Sequence, residues 1–135
     1  MAKNTRDLDN FYSINLSGLM LADRDIFDQV VTLFERYKIS PQRICFEITE
    51  TSAITHLKSA LHFMENMIAF GCSFSLDDFG SGLSSFSYLQ KLPVSVIKID
   101  GAFVRDMDSN EVNRIFVKNI KRTANAMNKK QLLRL

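Results

Sequence analysis

Arg43-Ile44-Cys45-Phe46-Glu47-Ile48-Thr49 alternates. Ile44, Phe46 and Ile48 fall on one side of an extended chain, and Cys45, Glu47 and Thr49 on the other, which is the period-two pattern of a strand. The bulky side needs an apolar cover. The other side carries small or polar groups and a carboxylate. The same division recurs upstream in Phe11-Tyr12-Ser13-Ile14-Asn15-Leu16-Ser17, and downstream in residues 72–77, Cys-Ser-Phe-Ser-Leu-Asp. A strand sandwiched between two helical layers would be apolar on both faces. A polar face opposite a bulky one suits the inside of a barrel, whose upper layer can carry a site.

Helical spacing fills the gaps between these strands. Phe27, Val30, Val31, Phe34 and Tyr37 form a stripe between about Asp25 and Lys38, and Pro41 precedes the next strand. Ile54, Leu57, Leu61, Met64 and Ile68 do the same from about Thr51 to Phe70, with Gly71 as a left-handed stop. A loop, Asp78-Phe79-Gly80-Ser81-Gly82, leads into a short helix from Ser84 to Leu92, closed by Pro93. Residues 94–99 form a fourth strand, ended by Asp100-Gly101. Ser109 or Asn110 then caps a last helix with Val112, Ile115, Phe116, Ile120, Ala124 and Met127 on one face. Gln131-Leu132-Leu133-Arg134-Leu135 starts like a fifth strand.

Strand then helix, four times over, implies a parallel sheet with right-handed crossovers. An open doubly wound sheet and part of a (β/α)8 barrel both fit that order. The face composition favours the barrel, so the expected fold is α/β, a partial (β/α)8 TIM-like barrel of about four to five βα units. A full barrel takes about 250 residues, and this chain of 135 supplies close to half of one. Residues 1–10 are expected to be a loose leader, and residues 11–135 one partial domain.

Composition narrows the function. Hydrophobic residues make up 46% and charged residues 24%, a globular balance. A net charge of +2 leaves no nucleic-acid footprint, so no DNA or RNA partner is expected. The late cations (Lys118, Lys121, Arg122, Lys129, Lys130, Arg134) are taken as a solvated helix face. Cys45 and Cys72 lie inside strands with no metal spacing around them, as free thiols do in a reducing compartment. No apolar run approaches a membrane span, and the first residues lack a signal-peptide core, so a soluble, cytoplasmic setting with no membrane partner is expected.

Asn15, Glu47, the Asp77-Asp78 pair and Lys98 all stand where a strand meets its following loop. Asn15 and Glu47 are 32 residues apart, and Glu47 and Asp77 are 30 apart, so they recur at equivalent strand ends. Carboxylate and carbonyl oxygens suit Mg²⁺ and Mn²⁺. Asp78, directly after Asp77, could bridge to a second ion at the ~4 Å of two-metal sites, and Lys98 could orient water or neutralise developing charge. Taken singly, each group has a plainer role: a strand-end cap for Asn15, a helix cap for Glu50, a paired rim lysine for Lys98. Their common placement argues for a shared site. His56 and His62 fall on different helix faces and receive no role. Asp78-Phe79-Gly80 also spells a kinase motif, which lacks its companion motifs here.

Together, Glu47-Ile48-Thr49-Glu50-Thr51, Ser75-Leu76-Asp77-Asp78-Phe79-Gly80-Ser81-Gly82-Leu83-Ser84-Ser85 with Tyr88-Leu89, Leu92-Pro93-Val94 through Ile97-Lys98-Ile99-Asp100, and Ser13-Ile14-Asn15-Leu16-Ser17 closely resemble the EAL domain. That resemblance implies a barrel that hydrolyses cyclic di-GMP to pGpG with Mg²⁺ or Mn²⁺. It implies that Asn15, Glu47, Asp77 and Asp78 are metal ligands. It also implies that Lys98 contacts the catalytic water and that Glu50 steadies the Asp-Asp-Phe-Gly loop. Asp100 matches the family's Lys-Ile-Asp motif.

The chain also departs from the family pattern. The Glu-Ala-Leu strand would precede residue 1, and the later strands would follow residue 135. Aligned through Lys130, the family's catalytic-base glutamate position holds Arg134, a cation that cannot accept a proton. The expectation is a fragment of an EAL-type phosphodiesterase, inactive as this chain alone. The alternative is a degenerate module that binds nucleotide or a partner without hydrolysis. An unrelated α/β interaction domain ranks third. Open barrel edges imply self-association.

Overall fold

A computed structural model describes residues 10–80 and 86–133. The leader before Asn10, the stretch 81–85 and the Arg134 position lie outside the described residues. The strands are β1 (Tyr12–Leu16), β2 (Ile44–Thr49), β3 (Ser73–Phe79), β4 (Val96–Ile99) and β5 (Lys130–Leu133). They form one sheet in the order β1-β2-β3-β4-β5, every pair parallel. A doubly wound sheet reverses its strand order at a switch point. Here each strand lies beside its successor throughout, which is barrel order, and the expected partial (β/α)8 TIM-like architecture is what the chain adopts.

The connecting helices are α1 (Gly18–Ala22), α2 (Ile26–Tyr37), α3 (Glu50–Thr55), α4 (Leu57–Phe70), α5 (Phe86–Leu89), α6 (Gly101–Arg105) and α7 (Glu111–Ala126). The bulky strand positions meet them. Ile44, Phe46, Ile48, Phe74, Leu76, Ile97 and Ile99 are all buried in one core with Phe34, Phe63, Met64, Met67 and Ile120. An aromatic chain runs through it, Phe34 to Phe46 at 6.4 Å and Phe46 to Phe74 at 5.5 Å between ring centroids. Phe63 adds edge contacts to both sheet phenylalanines. Such pairs stabilise by about 0.5–1.5 kcal/mol beyond area burial.

Local signals set the boundaries. Asn110 caps α7 by accepting from the Val112 and Asn113 N–H groups. Gly71, at φ 120°, ends α4 with its N–H on the Met67 and Ile68 carbonyls. Lys129 ties the start of β5 to the α5–β4 connection, its Nζ donating to the carbonyls of Leu92 (2.7 Å) and Val94 (3.0 Å). Pro93 lies between them, where the backbone can donate nothing.

The structure corrects several details. The helix expected over residues 51–70 is two helices, broken at His56. Thr49 takes the capping role considered for Glu50, its Oγ1 accepting from Ser52 N. Two short helices, α1 and α6, were not foreseen; five residues are too few for periodicity to show. On α7 the buried positions are Val117, Ile120 and Ala124, whereas Val112 (73% exposed) and Ile115 (51%) face outward. Tyr37 and Ile68, expected in buried stripes, are exposed as well. A helical stripe predicts a face, not whether a neighbour covers it.

Candidate functional site

Because every strand is parallel, the C-terminal ends share one edge of the sheet, and register decides who meets there. Asn15 on β1 lies opposite Glu47 on β2, and Glu47 lies opposite Ser75 on β3. Asp77 lies opposite Thr49, one pleat repeat further toward the strand ends. All four belong to the face away from the helices. Neighbouring strands sit about 4.8 Å apart and a two-residue step rises about 6.6 Å, so Glu47 and Asp77 are diagonal neighbours on one surface.

The β3–β4 pairing contains the site's main irregularity. Leu76 pairs with Ile97 and Phe79 with Ile99, so Asp77 and Asp78 together face Lys98 alone. The extra residue is a bulge, which re-aims side chains at the rim of a barrel. Asp78 absorbs it in the left-handed region, at φ 53°. Asp tolerates that region better than most residues, and the Asp78 N–H donates to Asp77 Oδ1 at 3.0 Å. The two acids thereby end on adjoining positions above the sheet.

Lys98 reaches back across β3 and its Nζ pairs with Glu47 Oε1. Glu47 (9% exposed) and Asp77 (6%) are buried carboxylates. Buried charge needs a partner or a cation. Ser75 on β3, 2% exposed, lies in register with Glu47, and its Oγ finds no partner among the described residues. A buried hydroxyl without a partner calls for a polar occupant nearby.

Behind the acids, Glu50 is fully buried at the start of α3. Its Oε2 accepts from the Gly80 N–H at 2.8 Å, and its Oε1 accepts from the Tyr88 hydroxyl. Burial, then the Glu50 carboxylate, pushes the Tyr88 hydroxyl well above the ordinary tyrosine range. Gly80 has φ 100°, and a Cβ there would sit 2.8 Å from Phe116 and 2.9 Å from Phe103. These two rings pack on each other at 4.6 Å. The turn after β3 is thus held by a carboxylate on one side and an aromatic pair on the other.

The structure therefore brings Asn15, Glu47, Asp77 and Lys98 to one face of one sheet edge, with Asp78 in the bulge beside Asp77 and Glu50 at the start of α3 behind. Among the described residues no three carboxylate, thiol or imidazole groups close around a single point. Lys98 occupies Glu47, and Asn15 contributes an amide rather than an acid. Asp100, expected to end β4 and matched to the family's Lys-Ile-Asp motif, caps α6 by accepting from Ala102 N. Ser75 and Tyr88 are the additions sequence reasoning missed. Ser75 could have been found by parity, two residues before Asp77 on the same face. Tyr88 is 38 residues from Glu50 and carries no local signal of the contact. A separate cleft of about 640 Å³ opens between α2 and α4, lined by Leu21, Phe27, Lys58, His62 and Phe63 among others, and holds none of these residues.

The EAL domain family model matches residues 1–133. The chain belongs to the EAL domain family. It is 37% identical over 115 residues to the probable cyclic di-GMP phosphodiesterase PdeA of Escherichia coli (strain K12), covering 85% of this chain and 16% of that protein. It is 39% identical over 119 residues to the cyclic di-GMP phosphodiesterase PdeB of Shewanella oneidensis, covering 88% of this chain and 14% of that one. Among solved structures it matches the PaMucR phosphodiesterase in complex with c-di-GMP, with a TM-score of 0.84 at 31% identity, over 91% of this chain and 50% of that chain. The EAL enzyme Bd1971, in its cAMP- and cyclic-di-GMP-bound form, matches with a TM-score of 0.83 at 30% identity, over 91% and 32%. This EAL chain thus spans about one sixth of the length of these curated relatives and half of the PaMucR structure.

Proposed function

We propose that this chain is the metal-binding part of an EAL-type phosphodiesterase that hydrolyses cyclic di-GMP to pGpG, and that the 135 residues alone do not turn over. The supporting observation is the register that sets Asn15, Glu47, Asp77 and Lys98 on one polar face at neighbouring strand ends, with Asp78 in the bulge beside Asp77. The names of the matched relatives supply the substrate class.

The donor set fits a hard divalent cation. Its atoms are all oxygens, two of the acids are buried, and a hydroxyl without a partner among the described residues lies beside them. Asn15, Glu47 and Asp77 would hold one Mg²⁺ or Mn²⁺, and Asp77 with Asp78 a second. Bound there, the ions would lower the pKa of water and offset charge on the leaving oxygen. The protein's own part is positional. The bulge presents Asp77 and Asp78 side by side. Lys98 keeps a positive charge over the strand ends, where a phosphodiester gains negative charge. Glu50 fixes the turn that carries the acids. Among the described residues the five strands leave the sheet with two edges, so the polar face is open on both flanks there. That openness supports the absence of turnover. Incubating the chain with cyclic di-GMP and Mn²⁺ is expected to yield no pGpG. Clear turnover would refute the inactivity.

A second reading rests on one contact. With Lys98 on Glu47, the site carries its own counter-ion, as a degenerate module that binds nucleotide or protein without hydrolysis would. Calorimetry with cyclic di-GMP in the absence of metal tests it: binding supports the degenerate module, and binding that needs Mn²⁺ supports the metal site.

We further propose self-association. Phe11 (77% exposed), Tyr12 (51%) and Ile14 (40%) line the free edge at β1, and an exposed apolar strand edge pairs readily with another chain. Two free thiols, Cys45 and Cys72, agree with a reducing, cytoplasmic setting. No described helix is long and apolar enough to cross a membrane.

A further inference from the structure

We infer that Tyr88 is a positioning residue for the acidic strand ends, acting through Glu50 on the turn that carries Asp77 and Asp78; this rests on the proposed metal site. Glu50 is fully buried, Tyr88 is 8% exposed, and the hydroxyl donates to Oε1 while the Gly80 N–H donates to Oε2. The carboxylate is a two-ended clamp. One oxygen faces the backbone just after Phe79, and the other faces a side chain on α5.

A carboxylate held at only one oxygen can rotate about its last bond, and a buried one does so at a cost in unmet hydrogen bonds. The Tyr88 hydroxyl restrains Oε1 against that rotation. It therefore sets where the Gly80 N–H is bound, and Gly80 lies two residues beyond Asp78. Asp78 sits at φ 53°, a conformation that Asp tolerates but that costs more than the ordinary regions, so its surroundings help to hold it. The aromatic pair Phe103–Phe116 blocks Gly80 from the other side, within 3 Å of where a Cβ would stand. Packing restrains the turn's position, and the Tyr88–Glu50 link restrains its backbone orientation. The second restraint matters for ligand donors, because an error of about 1 Å at a donor atom costs affinity steeply. Tyr88 touches neither metal nor substrate, so it is not catalytic in itself.

The test uses the full chain, the Tyr88→Phe variant and Ile120→Val as a core-packing control away from the turn. Two readouts are recorded by NMR: the exchange protection of the Gly80 amide without metal, and the Mn²⁺ affinity from paramagnetic broadening. In Tyr88→Phe the Gly80 amide should exchange about tenfold faster and Mn²⁺ should bind about tenfold more weakly, while core amides such as Leu76 keep their protection. Ile120→Val should change neither readout. Unaltered Gly80 protection in Tyr88→Phe overturns the inference, as does weakening of equal size in the control. If the unsubstituted chain shows no Mn²⁺ broadening, the metal reading fails, and the Gly80 amide still decides whether Tyr88 orders the turn. Should Tyr88→Phe not fold, ¹³C labelling of the tyrosine Cζ carbons reads the contact in the unsubstituted chain. The Tyr88 hydroxyl, buried against Glu50, should keep its proton beyond the ordinary tyrosine range, and titration of Tyr88 within that range would overturn it.

Discussion

Lys98, on β4, crosses over β3 to reach the carboxylate of Glu47 on β2. Ser75 lies in register with Glu47 on the strand between them, and only 2% of it meets solvent. The pair ties three strands together at the level where the proposed ligands stand. It also means that a cation competing for Glu47 must displace an ammonium.

Removing one partner should therefore cost stability. The Lys98 side chain is 23% exposed and that of Glu47 10%, so the pair is only partly screened. Lys98→Met should lower unfolding stability by about 1–3 kcal/mol in urea titration, and Glu47→Gln by a similar amount. The double variant should lose clearly less than the two losses together. Strict additivity would mean that the pair contributes nothing.

Gly80 should tolerate no side chain. Its φ of 100° strains any L-residue, and a Cβ would stand 2.8 Å from Phe116 and 2.9 Å from Phe103. Gly80→Ala should destabilise by about 2–4 kcal/mol, the backbone and overpacking costs together. Adding Phe116→Leu should recover part of the loss by relieving the steric share alone. Thermal unfolding measures both, and an unchanged midpoint in Gly80→Ala would refute the packing.

Alkaline pH should weaken the fold through Cys72. Burial, and then Cys45 nearby, push its thiol from 9.0 up to about 11. A folded-state pKa above the unfolded value means the folded chain holds the proton longer, so this contribution is complete below pH 9.0 and is lost as pH rises to about 11. The loss should be roughly 1–3 kcal/mol. Tyr88 acts with the same sign above pH 10, and Lys129, whose pKa burial lowers, acts with the opposite sign. Cys72→Ala isolates the thiol: the stability difference between parent and variant should shrink between pH 9 and 11. Curves that stay parallel would contradict it.

Self-association should depend on the β1 edge. Light scattering should give a mass that rises with concentration, and Ile14→Lys should return the chain to a monomer by placing charge on an exposed edge position. A monomer at every concentration in the parent would refute the proposal.

The strands were legible because each alternates cleanly. Parity in Ile44–Thr49 and Ser73–Asp77 identified both the helix-facing side and the polar side before any register was known. The ends of these runs located Asn15, Glu47, Asp77 and Lys98. Parity could not reveal the bulge that sets Asp77 and Asp78 together against Lys98, because that depends on how two strands slide. Nor could it show that Lys98 would choose Glu47, a partner 51 residues away. Helix stripes misled at Val112 and Ile115 for a related reason. Periodicity marks an apolar face, and only tertiary packing decides whether that face is covered.

The most direct measurement is a ¹H–¹⁵N spectrum of the chain titrated with Mn²⁺. Paramagnetic broadening should begin at the amides around Asn15, Glu47, Asp77, Asp78 and Lys98, and Asp77→Asn should abolish it with the fold intact. Broadening that starts elsewhere, or that persists unchanged in Asp77→Asn, would contradict a cation site on these strand ends.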